Sequence, residues 1–372
     1  MTSTSRTIRV AQFGLGPIGL ESLRLLASMP WADVVGGVDI DPLKQGLTLS
    51  ELCGEPALGE ARVYDSFDAL AAKAAPDVVL HTAGSNVEQT IAQILPMVEA
   101  GVCVATTCEP MLYPWLTAPR SAEMLDAAAE VRQVSVVGTG VNPGFVMDML
   151  PVVASGVMHR VDRIDVLRVV DASTRRMPLQ RKVGSGMVPA EFEARFAEGK
   201  AGHAGFRESV AMIAASMGWP VEAAAIRETL SAVVADQPIE TEYFHVEPGQ
   251  TRGLHQVVTF EHEGQEVIKL DLTMALAEPN PRDVITLHGQ PDLTLEFPDG
   301  VAGDTATVAA LVNCIPRLLD AKPGVRLMTD LAAPVRHAAP APAPASAHPE
   351  PPTVHTFKTE PYRSTPQATS PA

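Results

Sequence analysis

Gly14-Leu15-Gly16-Pro17-Ile18-Gly19 and Asp39 have the spacing of a dinucleotide-binding site. In such a G-x-G-x-x-G turn the first glycine permits the tight bend. The second lets backbone approach a pyrophosphate, and the third lets a helix pack closely on a strand. Pro17 suits the first turn of the helix that must follow, because its missing N–H costs little there. Ile18 stands beside it. The helix N-terminus offers free N–H groups and a partial positive charge to phosphates. Asp39 lies 20 residues beyond Gly19. An acid at that distance accepts from the ribose hydroxyls and repels a 2′-phosphate, which favours NAD(H) over NADP(H). Asp41 is the alternative acceptor, and Lys44 is the nearest cation. Gln12 and Phe13 read as buried strand-end residues.

In a doubly wound sheet, ligands sit beyond the C-terminal ends of the strands. That rule selects three more loops. HTAGSN (81–86) has Ala83 and Gly84, small enough for close backbone approach to a nicotinamide ribose. TTCEP (106–110) has Glu109. GTGVNPGF (138–145) is backbone-led, with three glycines. A carboxylate at Glu109 can stabilise a cationic iminium and exchange protons with an amine or carbinolamine; the plainer role is a cap on loop N–H groups. Cys108 is either a nucleophile without a local base or, more simply, a small buried residue. Asn142 either hydrogen-bonds a carboxamide or substrate, or holds the turn before Pro143. Phe145, at the end of this loop, is assigned to the substrate pocket. Arg175, Arg176, Arg181 and Lys182 put four cations within eight residues. They read as a clamp for a substrate carboxylate, or as a solvated or subunit-facing loop. Arg175 and Arg176 are the candidates for the clamp. The four cysteines have no metal spacing, so no metal is expected.

The elements that must position these residues follow from periodicity. TIRVAQF, WADVVGGVD, APDVVLHTAG, GVCVATTC and QVSVVGTG read as strands. LESLRLLASM, VEQTIAQILPMVEAG and SAEMLDAAAEV read as helices between them. Alternation of helices with doubly apolar strands predicts an α/β fold, a Rossmann doubly wound parallel sheet over residues 1–150. A second α+β domain with a mixed or antiparallel sheet is expected over 151–303. RIDVLRVVD is a strand there and GFRESVAMIAASMGW a helix. From about 240 to 300 the reading is antiparallel: Ile268, Leu270, Leu272 and Met274 alternate with polar residues, and HEGQ (262–265) is a hairpin turn. The apolar row of this sheet predicts a homodimer contact. Residues 304–333 return as a helix with a kink at Pro316.

Residues 334–372 contain 10 of the 32 prolines and are expected to be a disordered tail. The net charge of −16 becomes −17 for the body without that tail, which argues against nucleic-acid and anionic-membrane partners. No apolar run spans a bilayer, and MTSTSRTIRVAQF has no signal-peptide core, so a cytoplasmic protein with small-molecule partners is expected.

GLGPIG, VGGVDIDP, HTAGS, TTCEPMLYPW, VVGTGVNPGFVMD and GDTATVAALVNCIPRLLDAKPGVRLM together resemble the dihydrodipicolinate-reductase-like oxidoreductases. The similarity is greatest to the branch with 2,4-diaminopentanoate dehydrogenase and the native amine dehydrogenases, and it spreads over residues 8–331. The resemblance implies NAD(P)-dependent interconversion of an amine with a ketone plus ammonia. It places the family's active-site glutamate on Glu109. It also places a G-H-x-G stretch on Gly202-His203-Ala204-Gly205, so that His203 lines the substrate pocket or faces solvent. The paired-histidine segment of true dihydrodipicolinate reductases is absent, and Cys108-Glu109-Pro110 stands where related sugar oxidoreductases have E-K-P. Two other readings are an imine or carbonyl reductase that releases no ammonia, and a non-catalytic nicotinamide-binding sensor.

Overall fold

The computed structural model describes residues 7–199 and 201–336. The chain starts with β1 (Ile8–Phe13), α1 (Pro17–Ala27), β2 (Ala32–Val38), α2 (Leu49–Cys53), β3 (Val63–Tyr64) and α3 (Phe67–Ala71). It continues with β4 (Val78–His81), α4 (Val87–Glu99), β5 (Cys103–Thr106), α5 (Pro119–Arg132) and β6 (Ser135–Gly138). These strands, with β15 (Gly324–Arg326) from the far end of the chain, form one sheet in the order β15-β6-β5-β4-β1-β2-β3. Every pairing in it is parallel. β4, β5 and β6 are buried at every residue, as strands covered on both faces must be.

The second half carries α6 (Met149–Ser155), β7 (Arg160–Asp171), α7 (Met177–Lys182), α8 (Pro189–Ala197) and α9 (Phe206–Ser216). Then come β8 (Ile226–Val234), β9 (Ile239–Glu240), β10 (His245–Val246), β11 (Thr251–His262), β12 (Gln265–Ala275), β13 (Arg282–Gln290) and β14 (Leu293–Pro298). α10 (Gly303–Asn313) and α11 (Ile315–Leu319) return to the first sheet. The second sheet runs β14-β13-β7-β12-β11-β8, and β7 with β12 is its parallel pair.

Within 240–300 the strands pair antiparallel, β9 with β10, β11 with β12 and β13 with β14, as expected. The sheet as a whole is mixed, because it also recruits β7, parallel to β12, and β8 from before residue 240. Alternation along β12 cannot reveal which neighbour it pairs with. The hairpin at HEGQ is present: Glu263 and Gly264 both have positive φ, 52° and 76°, the twist a two-residue hairpin needs. The helix 303–319 is broken at Cys314, with Pro316 in the first turn of α11.

A correction concerns the apolar row. Ile268, Leu270 and Leu272 are 0%, 0% and 1% exposed. They share one core with Val210, Ile213 and Ala214 of α9, in the same chain. The row therefore cannot be the dimer contact expected of it. The opposite face is half-exposed and polar, with Arg163 paired to Asp165 and Lys269 to Asp271, each at 2.8 Å.

The described residues fall in one compact unit. The expected boundary at 150 lies inside α6, and that at 303 falls on the first residue of α10. The expectation for the tail lies outside the described residues, except for Pro334–Arg336. No described helix is long and apolar enough to cross a membrane.

Candidate active site

The C-terminal ends of β1, β4, β5 and β6 open onto a cleft of about 660 Å3, whose far wall is β7, β12, α7 and the start of α9. Beside it, where Ile18 lines the cleft, the glycine turn behaves as its spacing predicts. Gly14 has φ +89°, and a Cβ there would lie 2.9 Å from the Thr82 carbonyl carbon. A Cβ on Gly19 would lie 2.0 Å from the Gly14 oxygen, so helix and strand meet at a distance only glycine permits. Gly16 faces open space and caps α1 without a side-chain partner for the free N–H groups. Pro17 is the first residue of α1, and Ile18 lines the cleft.

Asp39 closes the other side of the turn. Its carboxylate accepts from Leu15 N at 2.8 Å, Asp41 N at 2.9 Å and Lys44 Nζ at 3.0 Å. Burial acts to raise its pKa, but these bonds outweigh burial and hold it below the usual value. Asp41 instead accepts from Leu43 N, at 3.0 Å, and steadies its own loop. Of the two acids, Asp39 is the one set against the glycine turn.

Gly84 lines the cleft with its Cβ position open, and Ala83 is the exposed residue before it. Asn142 is bound on two sides. Its Oδ1 accepts from Met147 N at 2.9 Å, and its backbone oxygen accepts from His203 Nε2 at 2.9 Å. Its Nδ2 is buried with no partner. The turn-holding role and an unspent donor thus coexist in one side chain. Pro143 follows through a cis bond and packs against Gly205. An open glycine cradle, an uncapped helix start and an unpartnered amide donor together fit a dinucleotide.

Glu109 begins a short turn directly after β5. The turn is anchored from beneath. Thr106 Oγ1 accepts from Cys108 N at 3.1 Å and pairs with His81 Nδ1 at 3.0 Å, while His81 Nε2 meets Gln93 at 3.0 Å. No described residue hydrogen-bonds to the Glu109 carboxylate, and its Oε2 is buried with no partner, so the side chain caps nothing. The start of α9 presses on it: a Cβ on Gly205 would lie 2.7 Å from Glu109 Cβ. Cys108 is 1% exposed, and burial pushes its thiol up to about 11, which leaves it a small core residue.

His203 lines the same cleft and meets Phe206 edge-on, with ring centroids 5.3 Å apart. Since Asn142 O can only accept, His203 Nε2 must donate, and Nδ1 keeps its lone pair. Burial, with Lys182 nearby, pushes its pKa down to about 4, so the ring is neutral at pH 7.

Arg175 and Arg176 also line the cleft, but both guanidiniums are bound to Asp304 on α10, at 3.0 and 3.1 Å. The clamp expected for a substrate carboxylate is occupied by the protein's own acid. Lys182 lines the cleft too, and among the described residues it has no carboxylate partner. Phe145 does not line the cleft; it packs against the first core. Phe206, Met147, Leu179, Leu272 and Met274 form the apolar wall instead. Sequence reasoning missed these, along with Thr82, Thr107 and Thr307. Strand and helix periodicity marks them as apolar or polar without saying which end of an element faces a cleft. Among the described residues no group of three His, Cys, Asp or Glu side chains could hold a metal.

A parallel sheet with a glycine cradle, a ribose-side acid and a carboxylate over the far end of the cleft defines a nicotinamide-dependent dehydrogenase. The comparisons narrow this class. Residues 145–342 match the 2,4-diaminopentanoate dehydrogenase C-terminal domain, and the chain belongs to that family. It is 28% identical over 333 residues to 2,4-diaminopentanoate dehydrogenase of Acetoanaerobium sticklandii, covering 88% of this chain and 94% of the relative. It is 25% identical over 349 residues to an amine dehydrogenase of Streptomyces virginiae, covering 86% and 94%. The fold is that of the solved amine dehydrogenase from Mycobacterium smegmatis, with a TM-score of 0.77, 24% identity, and coverage of 89% of this chain and 97% of that one.

Proposed function

We propose that this protein is an NAD(P)-dependent amine dehydrogenase that interconverts an amine with a ketone plus ammonia, and that Glu109 is its catalytic residue. The observation that carries this reading is the buried, unpartnered Glu109 Oε2. A buried acceptor without a donor is costly, and an ammonium or iminium N–H would satisfy it. The negative charge of Glu109 stabilises the positive charge on that nitrogen. Its oxygens also take and return the proton exchanged between amine and carbinolamine. His203, neutral and with Nδ1 free, offers a second acceptor from the α9 side. The apolar wall of Met147, Leu179, Phe206 and Leu272 keeps water away from the reacting carbon.

The nicotinamide supplies or accepts hydride. Gly14, Gly16 and Gly19 would hold its pyrophosphate, Asp39 the adenosine ribose, and Asn142 Nδ2 the carboxamide. Asp39 supports a preference for NAD(H). Lys182 supports a substrate that carries a carboxylate beside its amine, the chemistry named by the A. sticklandii relative. A panel of ketones, keto acids and amines, assayed with both cofactors, tests the reading. NADH consumption with a ketone is expected to require ammonium. Consumption that proceeds equally without ammonium would overturn the dehydrogenase in favour of a carbonyl reductase.

A further inference from the structure

Lys44 lies in the loop after β2, and its ammonium is fixed beside the expected ribose site. Nζ donates to Asp39 Oδ2 at 3.0 Å and to Leu15 O, inside the glycine turn, at 3.2 Å. An ammonium has three N–H groups, so one is left. Asp41 Oδ2 is 3.9 Å away, too far to take it as a good hydrogen bond. The side chains of Lys44 and Asp39 are 25% and 11% exposed, which screens this pair less than a surface pair.

The rest of the loop has no other cation. Residue 40 is Ile40, 86% exposed, and residues 41–43 are Asp41, Pro42 and Leu43. Arg62 is turned away, onto Gly46 O at 2.9 Å. Asp39 therefore does not meet an incoming nucleotide as a bare carboxylate. It is already paired with a cation that still has a donor to give. Without Lys44, a 2′-phosphate would face Asp39 and Asp41 alone.

We infer that Lys44 is the residue through which this site accepts NADP(H) as well as NAD(H), by pairing with the 2′-phosphate that Asp39 repels. The inference rests on the reading of Asp39 as the ribose-side acid. Cofactor selectivity then depends on a competition inside one ion pair. NADH uses Asp39 while Lys44 stays bound to it. NADPH draws the Lys44 ammonium to its phosphate.

The test measures binding of NADH and NADPH to the full chain by calorimetry, without substrate, so no turnover is needed. Wild type is expected to bind both. Lys44→Met, which keeps the aliphatic stem, is expected to weaken NADPH about tenfold or more, the loss of one charge-assisted contact. NADH should change less than about threefold under the same principle of unequal contacts. Asp39→Ala is expected to reverse the preference toward NADPH, and adding Lys44→Met to it should abolish that gain. If Lys44→Met weakens both cofactors equally, or neither, Lys44 is not the determinant. If wild type binds NADH but not NADPH, the inference fails and the proposed function stands. If wild type binds neither, the nucleotide site itself fails. Melting curves of each variant separate lost binding from lost folding.

Discussion

Glu109 and His203 face one cleft. In the proposed mechanism the Glu109 carboxylate holds a cationic nitrogen and the neutral His203 ring accepts beside it. Glu109→Gln is expected to lower turnover at least ~100-fold, the usual size for losing an acid–base group, with NADH affinity nearly kept. Steady-state rates and a cofactor titration on the same preparation check this, and unchanged turnover would remove Glu109 from the chemistry. Two histidines, His81 and His203, also set an acid limit on stability. His81 is fully buried, and burial pushes its pKa down to about 4, as for His203. In the unfolded chain both would titrate near 6.5. A folded-state value below the unfolded one means that stability is full above about pH 6.5 and is lost as pH falls toward 4, by up to about 1.4 kcal/mol per unit for each ring. Urea unfolding of wild type between pH 7 and 4.5 should show this slope, and His81→Gln should flatten it; an unchanged slope would show that His81 does not hold its neutral form. At this scale much was legible. Gly14, Gly19, Asp39 and Glu109 border the cleft or its cradle because strand ends and glycine turns leave local signatures, whereas His203 is assigned there by the family resemblance alone. Phe145 went astray because a loop residue's direction depends on the packing of the whole loop.

The elements explain why the arginines were misread. A basic loop in an acidic protein invites an external anion, yet Arg176, just before α7, is bound to the N-terminus of α10, 128 residues away in sequence. No local pattern carries such a contact. Two guanidiniums on Asp304 make a strap across one side of the cleft, joining the substrate wall to the helix that borders the cofactor cradle. The pairs are half-exposed, so each contributes roughly 0.2–1 kcal/mol. That is enough to hold a loop but not to hold the fold. Asp304→Asn is therefore expected to raise the rate of tryptic cleavage at Arg175–Lys182 several-fold and to raise the KM for the amine, while the melting temperature barely moves. A large drop in melting temperature would mean that the strap is structural. Cleavage at the wild-type rate would mean that the loop is held elsewhere. The mixed sheet follows the same logic. The two-residue period of β12 is visible in the chain, but its parallel neighbour β7 is about a hundred residues away. Only the assembled core decides that pairing.

For the molecule as a whole, a loop from the first sheet and a helix from the second half, already linked by Asn142 and His203, are also joined at a buried carboxylate. Asp148 is 0% exposed. It accepts from Gly144 N at 2.8 Å, from Met149 N at 2.7 Å and from Ser209 Oγ, on α9, at 2.7 Å. Gly144 belongs to the loop that presents Asn142, and Ser209 to the helix whose start presses on Glu109. One carboxylate thus ties the loop of the expected cofactor donor to the helix that packs on the proposed catalytic acid. Burial raises its pKa, against the pull of those three donors. Asp148→Ala would strand all three donors in the core, at about 1–3 kcal/mol each, so it is expected to cost ~3 kcal/mol or more. Ser209→Ala removes one donor and leaves the carboxylate two, so about 1 kcal/mol is expected. Because both act through the same carboxylate, the double variant should be little worse than Asp148→Ala alone. Urea unfolding of the three variants measures this, and NADH titration of Ser209→Ala reports whether the loop has shifted. Fully additive losses would show that Ser209 and the Asn142 loop are held independently, and that the cleft's width is set by the sheets rather than by Asp148.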